Sequence, residues 1–277
     1  MSLPPWLDST AVLLLGALAL LLGAVAWSVL RWWMAQYPVR CLLGRLATEP
    51  VTANLFIRGM FVPGNEFFSR APEYPPGTGG GVTVHKWANI PEVHTASDVC
   101  AVADILQLLA TSNSRLAFAI RSAEASFSGP NDETIAIGSH HKALQILAMC
   151  EPRLIGFRNP DAFRSMVSQE IFEAKPGIDY GLIYKGRHPT SQRAFWVVMG
   201  LGDLGTQSAA FFLRTNGGSL ARFTGAGPFA AIIAVDNNRG GEAAQLRWLH
   251  PRPSWWRRLL FRRRLQELMG RSGSKAS

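Results

Sequence analysis

Gly200, Gly202 and Gly205 stand in the spacing G-x-G-x-x-G within VVMGLGDLGTQSAAFFL, Val197 to Leu213. Glycines at that spacing let a backbone turn tightly after a strand and bring its N–H groups against a phosphate at a helix N-terminus. Here a β-branched apolar run precedes the turn and a small-residue helical pattern follows it, which is the context that chemistry needs. Thr206 could add a hydroxyl to the same anion, and Asp236, at the end of the next apolar run, could hold a ribose hydroxyl. Two features weigh against a dinucleotide redox site. Asp236 lies 31 residues beyond Gly205, where the fingerprint expects about 20, and the loop follows a hairpin instead of opening the first βα unit.

A second junction repeats the arrangement. IAIGSHHKALQIL passes from an apolar strand through Gly138 and Ser139 into a helix headed by His140 and His141. Two such junctions can face one crevice, since ligands of open α/β sheets sit outside the carboxyl ends of the strands. Histidines at a helix N-terminus are disfavoured as cations there, so they would act as hydrogen-bond donors or proton shuttles, or simply as an exposed helix start. The candidate ligand-binding residues are therefore Gly138, Ser139, His140, His141, Gly200, Gly202, Gly205, Thr206 and Asp236. No catalytic residue is assigned. The chain has no G-x-S-x-G elbow and no HExxH or CxxC spacing, so no metal is expected. Cys41, Cys100 and Cys150, odd in number, fit free thiols in a reducing compartment. Glu124 and Asp132 border a polar turn and read as exposed.

The elements that must carry these residues follow from periodicity. Asp98 caps a helix expected over Val99–Leu109, Leu116–Ala123 reads as a buried strand, and Thr134–Ser139 as a strand feeding the helix His140–Met149. RLIGFR, residues 153–158, is a third short strand, and Phe163–Ala174 a helix. Asp179–Gly186 and Arg193–Gly200 form a hairpin. A helix from Thr206 to Arg214 ends at Asn216-Gly217-Gly218, and PFAAIIAVD pairs with AAQLRWLH around the Asn237–Gly241 turn. Strands interleaved with helices predict an α/β domain, a mixed, mostly parallel Rossmann-like sheet with flanking helices.

Ala11–Leu30 is twenty residues without a charge or a proline, enough to cross a bilayer. A cleaved signal peptide is the competing reading, with Ala24-Val25-Ala26 as its cleavage site, but the apolar run is too long and nothing basic precedes it. Arg31, Arg40 and Arg45 follow the span and Trp27, Trp32 and Trp33 cluster at that end, which predicts a single-pass membrane protein with its N-terminus outside and its C-terminal domain cytoplasmic. Ala19 and Gly23 form a small-xxx-small pair that would allow two spans to approach as a homodimer, or one incidental to so Ala- and Gly-rich a helix.

Charge is concentrated at the other end. Pro251–Ser277 carries eight of the 28 Lys/Arg residues and one of the 19 acidic ones, leaving a nearly neutral body. Arg257, Arg258, Arg262, Arg263 and Arg264, interleaved with Trp255, Trp256 and Phe261, predict contact with anionic lipid, with a solvated basic terminus as the alternative. No specific nucleic-acid partner is expected, because these aromatics do not lie on a sheet platform. The chain thus divides into a short extracytoplasmic N-terminus (1–10), an anchor (11–33), a juxtamembrane and irregular lead-in (34–95) with a turn-rich loop at Ala71–Gly81, an α/β ligand-binding domain (96–250) and a basic aromatic tail (251–277).

Gly-Leu-Gly-Asp-Leu-Gly-Thr-Gln-Ser-Ala-Ala at 200–210, with Asp179-Tyr180-Gly181-Leu182-Ile183, resembles a group of uncharacterised bacterial α/β domains of nucleotide-sensing type, carried on membrane spans or beside DNA-binding helices. The first loop departs from their Gly-Gly-Pro-x-x-Asn, reading Gly138-Ser139-His140-His141-Lys142-Ala143. The resemblance implies a sensor or effector anchored in a bacterial inner membrane that binds a nucleotide-like or phosphorylated ligand. The alternatives are an enzyme cleaving or modifying a nucleotide or NAD-like substrate, and a tethered scaffold without a small-molecule ligand.

Overall fold

A computed structural model describes residues 5–57, 60–61, 66–69, 83–86, 92–93, 96–113, 116–123, 133–159, 161–191 and 193–270. The Ala71–Gly81 loop, the turn at 129–132, Glu124, Asp132, Arg271 and Lys275 lie outside them.

The chain begins as one helix, α1 (Pro5–Leu43), followed by the short α2 (Arg45–Thr48) and β1 (Thr52–Ile57). Within α1, Leu13–Leu43 is long and apolar enough to cross a membrane, and none of its most apolar stretch is buried among the described residues. Next come β2 (Met60–Phe61) and β3 (Glu66–Ser69), then β4 (Thr83–Lys86) and β5 (Glu92–Val93); β2 pairs with β5 and β3 with β4 in two small ladders. The domain continues through α3 (Ala96–Ser112), β6 (Ala117–Ser122), β7 (Glu133–Ile137) and α4 (His141–Met149). A short antiparallel sheet follows, made of β8 (Ile155–Asn159), β9 (Ala162–Ser165) and β10 (Ile171–Glu173). Then come the hairpin β11 (Ile178–Arg187) and β12 (Ala194–Gly200), α5 (Asp203–Thr224), and the pair β13 (Phe229–Asp236) and β14 (Gln245–His250). The tail forms α6 (Trp255–Leu260) and α7 (Arg262–Leu268).

The main sheet has seven strands in the order β14-β13-β11-β12-β7-β1-β6. The strands β12, β7, β1 and β6 run parallel, whereas β11 pairs antiparallel with both β12 and β13, and β14 antiparallel with β13. The sheet is mixed, with its pairings evenly divided, and not mostly parallel as the sequence predicts. The β11–β12 hairpin inserts one reversed strand beneath the β12–α5–β13 crossover.

Alternation along the strands splits the interior in two. Ile183, Trp196, Val198 and Ile233 face α3, α5 and the end of α1. Their neighbours Leu182, Tyr184, Val197, Met199 and Ile232 face α4 and the short sheet. With both faces covered, the central strands are buried throughout, which is why β12 and β13 are unbroken apolar runs.

Four sequence expectations change. The segment expected as a helix over Phe163–Ala174 is the β9–β10 hairpin. The spacing of Phe163, Val167 and Ile171 suits a helix, yet Phe163 is buried while Val167 and Ile171 are exposed. Between the strands the Ser165 hydroxyl accepts the Ser168 N–H at 3.0 Å and Gln169 adopts φ 61°. The irregular lead-in supplies β1, between β6 and β7, and β6 itself is an edge strand with Phe118 and Ile120 half exposed. Finally, α5 does not stop at Gly217-Gly218 but continues to Thr224.

That continuation holds the end of α1. Cβ positions at Gly217 and Gly218 would lie 3.7 Å from Leu42 and 3.5 Å from Val39, so the two glycines form a shallow seat for the last turns of α1. The packing offsets the roughly 1 kcal/mol that each mid-helix glycine costs. Beside this seat the buried Lys185 donates to the Leu42 carbonyl at 2.6 Å and to the Ala226 carbonyl at 2.9 Å, with Nζ 5.2 Å above the Trp196 ring. A cation is thereby placed at the C-terminal end of α1, where the helix dipole favours it. Burial pulls the Lys185 pKa down to about 8. Lys185→Met leaves both carbonyls without this donor and is expected to lower stability by about 2 kcal/mol, measured as a shift in the chemical-denaturation midpoint.

Candidate functional site

β7 and β12 are adjacent parallel strands, so the two glycine bends that follow them lie side by side at one edge of the sheet. The Gly138 N–H donates to the Val198 carbonyl at 2.9 Å, and the Ser139 hydroxyl donates to the Gly200 carbonyl. Helices α4 and α5 both start here and point their N-terminal amides along this edge.

The amides of the G-x-G-x-x-G turn already hold an anion. Asp179, at the start of β11 and buried, accepts the Gly202 N–H on Oδ1 at 3.0 Å and the Gly205 N–H on Oδ2 at 2.6 Å. The Tyr180 N–H donates to Oδ1 at 2.7 Å. A carboxylate from the neighbouring strand therefore occupies the place in which a phosphate would be cradled, and it complements the positive end of α5.

The glycines serve the same packing. A Cβ at Gly200 would collide with the Thr206 amide, one at Gly205 with the Tyr180 carbonyl, and one at Gly202 would lie 2.8 Å from Asp179 Oδ2. On β11, a Cβ at Gly181 would meet the Gly205 carbonyl, with the Ala209 methyl 2.8 Å away. These contacts let α5 cross β11 with backbone against backbone. Gly181→Ala must push the helix off the strand and is expected to cost about 2 kcal/mol, checked by thermal unfolding.

At the neighbouring bend, Gly138 has φ 92° and its Cβ position lies 2.7 Å from Asp98 Oδ1, so both backbone and space demand glycine. Asp98 sits in the first turn of α3 instead of capping it, since that helix begins at Ala96. His140 is the N-cap of α4. Its Nδ1 accepts the Ala143 N–H at 3.3 Å, which leaves the proton on Nε2, 3.3 Å from the Phe56 carbonyl. Burial pulls its pKa down to about 4, so the ring is neutral at pH 7. His141 is exposed on the first turn of α4, its ring 6.3 Å from that of His140.

Ser139 is exposed on the edge and Thr206 is buried in the first turn of α5. Asp236 ends β13, with β11 lying between that strand and β12, and its Oδ1 accepts the Asn238 N–H at 2.9 Å in a turn. The nearby loops thus bring together Gly138, Ser139, His140, Gly200, Gly202, Gly205 and Thr206. Asp236 stands apart on the far side of β11.

Next to the joined bends a cleft of about 730 Å³ opens between α4 and β8. Ser139, Met199 and Leu201 form its end at the sheet edge, Leu144, Leu147 and Ala148 its α4 wall, and Ile155 and Phe157 its β8 wall. Arg153, Arg158 and Asn159 stand along it, with Arg153 and Arg158 exposed. Among the described residues, no group of three or more His, Cys, Asp or Glu side chains is placed to hold a metal.

No protein-family model and no curated protein matches this chain. The site must be judged on its own chemistry.

Two features of it escape sequence reasoning. Asp179 falls within a quoted motif, but its role depends on Gly181 standing opposite Gly200 in the hairpin register, which puts the carboxylate beside the turn. The cleft arises because α4 and β8 turn back on one another, and RLIGFR carries no local sign of it.

Proposed function

We propose that the chain is a single-span, membrane-anchored sensor or effector whose cytoplasmic α/β domain binds a small anionic ligand at the carboxyl edge of a Rossmann-like half-sheet. The observation that carries this reading is the cleft itself. It adjoins two helix N-termini, it is large enough for a small ligand, and it has two exposed arginines beside an apolar wall. With Asp179 seated in the glycine turn and the Ser139 hydroxyl donated to the Gly200 carbonyl, the ligand's charge falls to Asn159 and Arg158 and not to the Gly202 and Gly205 amides. A phosphorylated or nucleotide-like ligand meets this requirement. The same carboxylate favours the scaffold reading as the alternative, because it gives the glycine turn a complete structural role.

Thermal stabilisation of the full chain by a nucleotide and sugar-phosphate panel tests the binding. A ligand at a hundred times its Kd adds about 2.7 kcal/mol; no stabilisation by any anionic compound would favour the scaffold. Orientation is tested separately through Cys100, which is exposed. A membrane-impermeant maleimide is expected to leave it unlabelled in spheroplasts and to label it after lysis.

The tail is proposed to touch the same membrane. α7 docks on α5, where Arg264 reaches Ser219 Oγ at 3.1 Å and Asn216 Oδ1 at 3.0 Å, and the Arg257 guanidinium donates to the Phe223 carbonyl at 2.9 Å. This seats the tail on the half of α5 that also receives the end of α1. Trp255, Leu259, Leu260, Arg262 and Arg263 remain exposed. Replacing Arg262 and Arg263 by Glu is expected to reverse two attractions of about 1 kcal/mol each at an anionic surface, read by vesicle co-sedimentation of the full chain at low salt. Unchanged association across neutral and anionic vesicles would remove the tail from the membrane contact.

A further inference from the structure

The shape of the cleft narrows the ligand class, an inference that rests on the ligand-binding reading above. α4 runs from the sheet edge to Met149, and the chain then turns through residues 150–154 and returns as β8 alongside it. The cleft follows this pair from Ser139 to Arg153, the length of a nine-residue helix, about 14 Å. Its walls between those ends are aliphatic or aromatic: Leu144 and Leu147 on α4, Ile155 and Phe157 on β8, and Met166 beyond them. Of the polar lining, Ser139 is bonded to the Gly200 carbonyl and Arg153 stands at the far end, whereas Arg158 and Asn159 end β8 where the strand returns toward the start of α4, whose N-terminal amides make the potential positive. A nucleotide places most of its polar groups along its length and would leave them facing this apolar wall unpaired, which is costly.

We infer that the cleft takes a single-chain amphiphile with an anionic head, a medium-chain acyl carboxylate, whose head lies at Arg158 and Asn159 and whose chain runs along α4 toward Arg153. Elongation of the cleft accommodates the chain, its apolar walls replace the chain's contact with water, and the charge of Arg158 complements the head. A tether that keeps the domain beside a bilayer also keeps it beside a source of such molecules.

The test uses the full chain in lipid nanodiscs and a laurate probe carrying a diazirine in its chain, with the labelled residues mapped by peptide mass spectrometry. Label is expected on the α4 and β8 peptides. Excess laurate should compete it away and dodecanol, which lacks the charge, should not. Leu144→Trp fills the cleft from a half-exposed position without touching the buried core. Both it and Arg158→Glu should cut cleft labelling by about fivefold or more, the loss of one favourable contact, while labelling of α1 by probe dissolved in the bilayer stays constant and reports an intact, inserted chain. Label confined to α1 or the tail, or cleft label unaffected by both substitutions, overturns the proposal. An azido-nucleotide that labels the cleft in place of the acyl probe overturns the acyl assignment but leaves the ligand-binding domain standing, and failure of both probes removes both.

Discussion

Asp179→Ala is expected to lower the stability of the folded chain by about 4 kcal/mol, a fall of roughly 10 °C in thermal midpoint for a chain of this size. The carboxylate accepts N–H groups from Tyr180, Gly202 and Gly205, two of them at the first turn of α5. With it gone, amides that α5 cannot satisfy from within are left in a site where α5 presses on β11 and little water can enter. Asp179→Asn keeps one acceptor oxygen but turns an NH₂ donor toward another donor, so it should fall between Ala and the wild type. The variant also supplies its own control. Removing the side chain opens a carboxylate-sized space at a helix N-terminus, so acetate or phosphate should stabilise Asp179→Ala and leave the wild type nearly unmoved. A variant as stable as the parent, or one that gains nothing from added anion, would show that the glycine turn is held by something other than this carboxylate.

Acidification is expected to produce the second large effect, through His140. Its folded pKa, about 4, lies below the ordinary 6.5 because the ring is buried. Between these values the unfolded chain binds a proton that the folded chain refuses, so the stabilising contribution is complete above pH 6.5 and is lost as the pH falls toward 4. A displacement of this size amounts to about 3 kcal/mol. Glu133 runs the other way. Burial raises its carboxyl, with Arg45 at 3.6 Å opposing the shift only in part, so its contribution is present at acid pH and declines as the pH rises through its raised value. Unfolding curves measured from pH 7.5 to 4.5 should therefore show a steep loss in the parent and a shallower one in His140→Asn, which can still cap α4 but cannot take up the charge. Equal slopes in the two proteins would remove His140 as the origin.

Much of the framework is legible locally. β7, β11, β12, β13 and β14 stand out as apolar runs bounded by turns, and the start of α4 is marked by a polar cap. The membrane-length helix needs only composition to be seen. Longer-range judgements fare differently. Gly217 and Gly218 resemble a helix stop until α1 packs against them, and β9 and β10 share the four-residue apolar spacing of a helix until Phe163 turns inward and Ile171 outward. β1 is hidden in a segment otherwise rich in turn formers, and its role depends on being flanked by β6 and β7.

The sequence by itself determined an apolar span at one end, arginines and tryptophans at the other, strands alternating with helices between them, and two glycine bends at strand ends. Tertiary structure alone decided that the bends are neighbours, that Asp179 fills one and His140 caps the other, and that α4 and β8 fold back to leave a cleft. Periodicity and turn chemistry depend on residues a few places apart and survive in any single stretch. The group that satisfies a buried amide is instead chosen by strand register, and Asp179 reaches Gly205 across 26 residues of chain only because β11 and β12 pair as they do.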